Sequence, residues 1–463
     1  MIHRMFRLFA LRASLAALGL LLVGLANQPA SAQISALGNI NRVGGISIDT
    51  SGLISNAEKS ARIALRDELR KLHKAAPAGL KEASELRLVS LKQLERAARE
   101  SGVKTAEDLP DELRFLAGLQ RIQYVLVYPE SNDIVLAGPG EGWKVGDDGS
   151  VIGETTGRPV LLLEDLVVAL RTVDIARQGG ISCSIDPTAE GRQRLDALLA
   201  QPNTYSSRLL DSIRRALGKQ TITLTGIPAD SHLARVLVSS DYHMKRIAMK
   251  LEATPLRELP SFIDMIKHEN AALDNMMPRW WLEYARQPLG RSEDGLAFEL
   301  PAQRVKCLTE DEVVDGAGKV SGTGAANPVA QKWADAMTAH YDELTLKEPI
   351  FGELGNVMDM CVVAALLMKE QLAEKAGCEL PTLSSPNSPL AVHSYHAPKH
   401  VETLCSAVKR GTDYIVTASG GVQIASWHAL ENMQPRPSIS QVRRRATPRA
   451  EQSASQNAWW NAQ

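Results

Sequence analysis

The chain has 463 residues, 44% hydrophobic and 23% charged, with a formal net charge of −1. That length and apolar content predict two or three packed units, and the near-neutral charge argues against a nucleic-acid binder. Aromatic residues make up only 5%, so cores built from Leu, Val, Ile and Ala are expected.

The N-terminus sets the expected compartment. Arg4, Arg7 and Arg12 form a basic leader, Ala13 to Ala26 is an uncharged apolar run, and Ala30-Ser31-Ala32 precedes Gln33. Together they predict a secretory signal peptide over residues 1–32. The apolar run is about 14 residues, against the roughly 20 of a spanning helix, and no later segment reads as membrane-spanning. The mature chain is expected to be periplasmic or extracellular. Removing residues 1–32, with three arginines and no acids, takes the charge from −1 to −4. Five cysteines remain: Cys183, Cys307, Cys361, Cys378 and Cys405. An oxidising compartment permits disulfides, and an odd number leaves at least one thiol unpaired within the chain. Cys361, Cys378 and Cys405 lie close in sequence, so a bridge is expected among them. Cys183, inside an apolar run, reads as a small buried hydrophobe.

In chain order, RVGGISIDTSGLIS reads as a hairpin around Asp49-Thr50-Ser51-Gly52. Helices are predicted over 57–74, where Leu65, Leu69 and Leu72 recur at helical spacing, over 90–100, and from Pro110. Arg121 to Asp186 is the densest apolar stretch of the mature chain. It predicts a hairpin of strands 121–128 and 133–137, a small hairpin at 143–145 and 151–152, a buried helix 161–178 capped by Gly179-Gly180, and a strand 181–185. Asp186-Pro187-Thr188 is a helix start. Helices 188–200 and 205–217, a strand 220–225, and helices 228–252 and 259–270 follow. Strands 279–284, 296–300 and 303–308 are expected to form one antiparallel patch. GAGKVSGTGAANP reads as a linker. Beyond it come helices 329–341 and 351–375, strand-like runs at 387–396 and 412–424, and a tail from 432, too poor in apolar residues to pack alone. GGISIDTSG and GGISCSIDPT look alike but share no fixed period, so they are read as common strand-turn grammar. The pattern predicts an α+β protein: mixed and antiparallel sheets with hairpins, packed by helices. The expected division is an N-terminal region 33–310, as one unit or as two split near 200–220, a linker 311–328, a C-terminal domain 329–430 and a disordered tail 431–463.

Few side chains group into recognisable chemistry. His393, His396 and His400 form the one histidine cluster and are the candidate metal ligands, although Pro398 interrupts any helix through them. Trp143, Trp280 and Trp281 are the candidate ligand contacts, because an aromatic ring can stack on a sugar. A strand puts Trp280 and Trp281 on opposite faces, so one of the two belongs to the core. Asp241 and Lys245, four apart on a helix, read as a surface ion pair. Glu164-Asp165, Glu293-Asp294 and Asp311-Glu312 are adjacent acids of the kind acid–base catalysis uses, with nothing to single out one pair. The chain has no G-x-S-x-G, H-E-x-x-H, G-x-G-x-x-G after a strand, phosphate loop, C-x-x-C or calcium loop. No cofactor is implied.

Several phrases, RIQYVLVYPESNDIVLAGPGEGW, TTGRPVLLLEDLVVALRT, GGISCSIDPTAEG, SDYHMKRIAMKLE, PRWWLEY and IFGELGNVMDMCVVAALLMKE, resemble an uncharacterised family of secreted planctomycete proteins known as a domain of unknown function. The resemblance runs from about Gly44 to Trp427 and implies export, but assigns no catalytic or binding residue. The function expected from the sequence is a non-enzymatic envelope or extracellular interaction protein whose partner is a protein or glycan. The alternative is a secreted hydrolase acting on an envelope polymer, with an unfamiliar site in the loops around 138–143 and 182–188.

Overall fold

The computed structural model describes residues 44–200, 207–268, 278–285, 287–314, 320–322, 324–410, 412–417, 419–447 and 458–461. The expected signal peptide, part of the expected linker and part of the tail lie outside the described residues.

Among the described residues two large sheets carry the fold, and it is α+β as the patterning predicts. The first has nine strands. Across the sheet they run Ile46–Ile48, Leu53–Asn56, His400–Glu402, Lys219–Thr225, Ile181–Pro187, Ser419–Ile424, Pro278–Tyr284, Val305–Val314 and Val320–Gly322. Most neighbours are antiparallel; His400–Glu402 beside Leu53–Asn56 and Ser419–Ile424 beside Pro278–Tyr284 are parallel. The second has seven strands, in the order Gln434–Pro435, Gly290–Arg291, Ala297–Glu299, Tyr124–Tyr128, Asp133–Gly140, Ser84–Ser90 and Trp459–Asn461.

Strands from both sides of the expected 311–328 linker therefore interleave. Ser419–Ile424 lies between Ile181–Pro187 and Pro278–Tyr284, so the linker does not separate two sheets. The described residues belong to one compact unit. Composition reports where a chain can turn, not which distant strands pair, and the boundary rested on composition alone. The same limit undid the single patch expected over 279–308. Pro278–Tyr284 pairs with Val305–Val314 in the first sheet, whereas Ala297–Glu299 pairs with Tyr124–Tyr128 in the second.

The dense apolar run at 124–137 has a plain cause: both faces of its hairpin are covered. Val125, Val127, Ile134 and Leu136 face the main core. Leu126, Tyr128, Val135 and Ala137 face a small second core closed by Ile439 and Ala446. The covering helix, Ile439–Arg445, comes from the expected tail. Arg443 anchors it, with Nε donating to Val127 O at 2.6 Å and Nη2 to Glu130 at 2.9 Å. These polar anchors and the two edge strands from the same region explain why an apolar-poor segment is placed.

The helix Leu163–Gly179 ends as predicted, at Gly180 with φ +73°, its N–H donating to Ala176 O. It packs against Pro349–Lys369, which also contacts His232–Ala248. Pro349–Lys369 is long and apolar enough to cross a membrane by length and composition, contrary to expectation, and is almost wholly buried in the protein. An apolar stripe on every side is what a central helix needs.

Two further expectations change. All five cysteines are buried free thiols, so no bridge joins Cys361, Cys378 and Cys405. The strand-like run 387–396 is irregular chain, tied down by Tyr395 N–H donating to Asp230 O at 2.7 Å.

Candidate functional site

Two helix N-termini and the 387–396 loop converge on one cluster of ionisable groups. Ser231 caps the helix His232–Ala248, accepting from Ala234 N–H at 3.1 Å. This places His232 at the first helical position. Glu164 and Asp165 occupy the first turn of Leu163–Gly179, where carboxylates complement the free backbone N–H groups. Ser394 Oγ donates to Asp230 Oδ2 at 2.6 Å, and Arg235 Nη2 to His396 O at 3.0 Å. These contacts bring Tyr395 over the two helix starts.

At the centre, His232 Nδ1 lies 2.9 Å from Asp165 Oδ2, and both residues are buried. Nδ1–H donates to the carboxylate, which leaves Nε2 to exchange a proton. Tyr395 Oη stands 3.4 Å from both oxygens of Glu164. The Tyr395 ring meets His393 at 4.4 Å and His232 at 6.0 Å, with the Arg235 guanidinium 4.6 Å from its centre. His393 Nδ1 pairs with Glu107 at 3.0 Å. Glu353, on Pro349–Lys369, is 9% exposed, and its Oε2 has no hydrogen-bond partner among the described residues.

Burial raises Glu164 to about 7; His232 opposes the shift, while Asp165 and Glu107 add to it. Burial likewise raises Glu353 to about 7, again opposed by His232. Burial works against a charged His232, yet Asp165, through charge and hydrogen bond, holds the imidazole up at about 10. At neutral pH the cluster thus holds an imidazolium beside two carboxyls poised between their charge states. Titratable groups displaced in this way by burial and specific partners mark candidate catalytic sites.

The shifts fix a pH dependence of stability. Glu164 and Glu353 titrate higher folded than unfolded, so their contribution is fullest below about 4.5 and is lost toward pH 7. His232 contributes fully below about 6.5 and loses it as pH rises through 10. The melting temperature is therefore expected to fall by at least a few degrees from pH 6 to pH 9. In thermal scans His232→Asn should flatten the part of that slope above pH 6.5.

The residues singled out in sequence scatter. Trp143 is 2% exposed, edge-on to Phe115, with its indole N–H on Lys74 O. Trp280 is fully buried between Phe262 and Trp333. Trp281 is half-buried, with Arg279 5.8 Å from its ring. His393 joins the cluster, His396 offers it a backbone carbonyl, and His400 sits in a strand of the large sheet. Among the described residues no three or more His, Cys, Asp or Glu side chains are grouped to hold a metal. The loops at 138–143 and 182–188 are not where the displaced acids gather. Glu164-Asp165 was visible as an acidic pair; Glu353, inside an apolar run, carried no such signal.

Asp241 and Lys245 form a pair as expected, but not on the surface. Both are completely buried. Lys245 Nζ donates to Asp241 Oδ2 at 2.9 Å and to the carbonyls of Ile185 and Gly420 at 3.1 Å each, clamping the helix to two central strands.

A family model described as a protein of unknown function (DUF1598) matches residues 183–262. That stretch contains His232, Asp241 and Lys245, while Glu164, Asp165, Glu353 and Tyr395 lie outside it. No curated protein and no solved structure matches the chain. Residues 183–262 thus match a domain of unknown function, DUF1598, and are set inside a larger fold.

Proposed function

We propose that the chain is an exported hydrolase that cleaves an envelope polymer by general acid–base catalysis at the Glu164–His232 cluster. The observation that carries this reading is the Asp165-anchored imidazolium beside Glu164, a carboxyl raised to about 7. A general base works best when its pKa is near the operating pH. In this reading the Glu164 carboxylate takes a proton from water as the water oxygen bonds to the electrophilic centre. His232 Nε2–H gives a proton to the leaving atom as its bond breaks, and solvent restores both groups. Tyr395 holds Glu164, and Asp165 fixes the imidazole. Export is supported by the leader and by the resemblance to secreted planctomycete proteins.

The test uses the mature chain, residues 33–463, mixed with envelope fractions of its host. Soluble fragments are followed by mass spectrometry. Wild type should release fragments, and Glu164→Gln should release them ~100-fold or more slowly with a melting temperature no lower than that of wild type. Co-sedimentation with no released product would overturn the hydrolase and leave the non-enzymatic interaction protein.

A further inference from the structure

A second site lies at the rim of the seven-stranded sheet, away from the acid cluster in sequence and in its lining. There a cavity of about 360 Å³ opens between the start of Tyr124–Tyr128, the end of Ala297–Glu299 and the chain just past Gln434–Pro435. Arg121, Gln123, Gln287, Glu299 and Arg436 supply its polar wall, and Leu300 part of its apolar one. Its size falls within the range of small-molecule sites.

The polar groups are held before any ligand arrives. The Arg121 guanidinium donates to the carbonyls of Pro301 at 2.8 Å and Ala302 at 3.3 Å, while its Nε is buried without a partner among the described residues. Arg436 Nη1 donates to Glu299 Oε2 at 2.8 Å. The lining thus holds two guanidinium groups and one carboxylate, of which Arg436 pairs with Glu299. Burial lowers the pKa of Arg121, opposed by Asp359 and helped by Arg304, as for a partly desolvated cation. Guanidinium forks match carboxylates in a planar, two-point geometry. The amides of Gln123 and Gln287 add donors and acceptors suited to hydroxyl groups.

We infer that this cavity binds a small hydroxylated carboxylate of sugar-acid type, with Arg121 and Arg436 facing the carboxylate and Gln123 and Gln287 facing the hydroxyls. Occupancy needs no turnover, so the site stands or falls independently of the acid–base cluster.

Calorimetric titration of the mature chain with glucuronate, glucose and inorganic phosphate tests it. Glucuronate should bind saturably, and glucose and phosphate each on the order of tenfold more weakly or worse. Arg436→Gln should cost glucuronate on the order of tenfold. That side chain is 49% exposed, so the fold should be kept, with an unchanged melting temperature as the check. Equal binding of glucose would overturn the carboxylate contact, and equal binding of phosphate would overturn the sugar-acid assignment. No saturable glucuronate binding, or wild-type binding by a folded Arg436→Gln, would overturn the site.

Discussion

Lys245→Ala is expected to destabilise the protein by about 3–5 kcal/mol, the usual cost of leaving one partner of a buried ion pair alone. The substitution removes the cation that offsets Asp241 and the donor to Ile185 O and Gly420 O. Burial already raises Asp241 to about 6 despite Lys245. Without the ammonium the carboxyl will titrate higher still, so the penalty should be larger at pH 8 than at pH 5. Denaturant unfolding at the two pH values measures both effects. The double variant Asp241→Leu with Lys245→Met removes both charges together and should recover most of the loss, because apolar replacements of buried pairs are often neutral or better. A Lys245→Ala protein as stable as wild type at pH 8 would show that the pair does not hold the helix to the sheet.

Gly420→Ala should be as damaging by a different route. A Cβ at residue 420 would lie 1.7 Å from Trp280 O, and φ there is +121°. The obstacle is backbone of the neighbouring strand, not a side chain that can rotate away. Gly421 is in the same position, its added Cβ 1.8 Å from Cys183 O. The two glycines let Ser419–Ile424 fit between Pro278–Tyr284 and Ile181–Pro187. A loss of about 4 kcal/mol or more is expected, since strain and overpacking act together. Gly179→Ala, where an added Cβ meets nothing within 4 Å, should stay within about 0.5 kcal/mol of wild type. Chemical denaturation of both variants gives the comparison, and soluble yield of Gly420→Ala gives a second readout.

Local elements were legible because local rules produce them. The Leu163–Gly179 helix follows from leucines at helical spacing and a glycine stop, and the hairpin at 124–140 from two apolar runs around a short turn. The cap at Thr188 was readable too, its side chain accepting from Gly191 N–H. Three kinds of fact were not legible. Strand partners hundreds of residues apart leave no mark in one sequence, which is why Ser419–Ile424 was not foreseen as a central strand. Burial of a charge was hidden as well: Asp241 and Lys245 show the same i, i+4 spacing on a surface as in a core. Of the acid–base cluster, Glu164, Asp165 and His393 drew notice, whereas His232, Glu353 and Tyr395 did not. They meet only once two helix starts and a loop are brought together.

The position of Ser419–Ile424 bears on how the protein is made. The strands on either side of it end more than a hundred residues earlier, and His400–Glu402 joins Leu53–Asn56 to Lys219–Thr225 almost as late, so the large sheet stays in three pieces while most of the chain has already emerged. Folding that waits on such distant pairing is slow. During that delay the facing strands present unpaired edges, which invite association with other chains. A nascent chain of this topology needs protection until residues beyond 424 are available. Its chance of aggregating is set by the time spent waiting as well as by the stability of the finished fold.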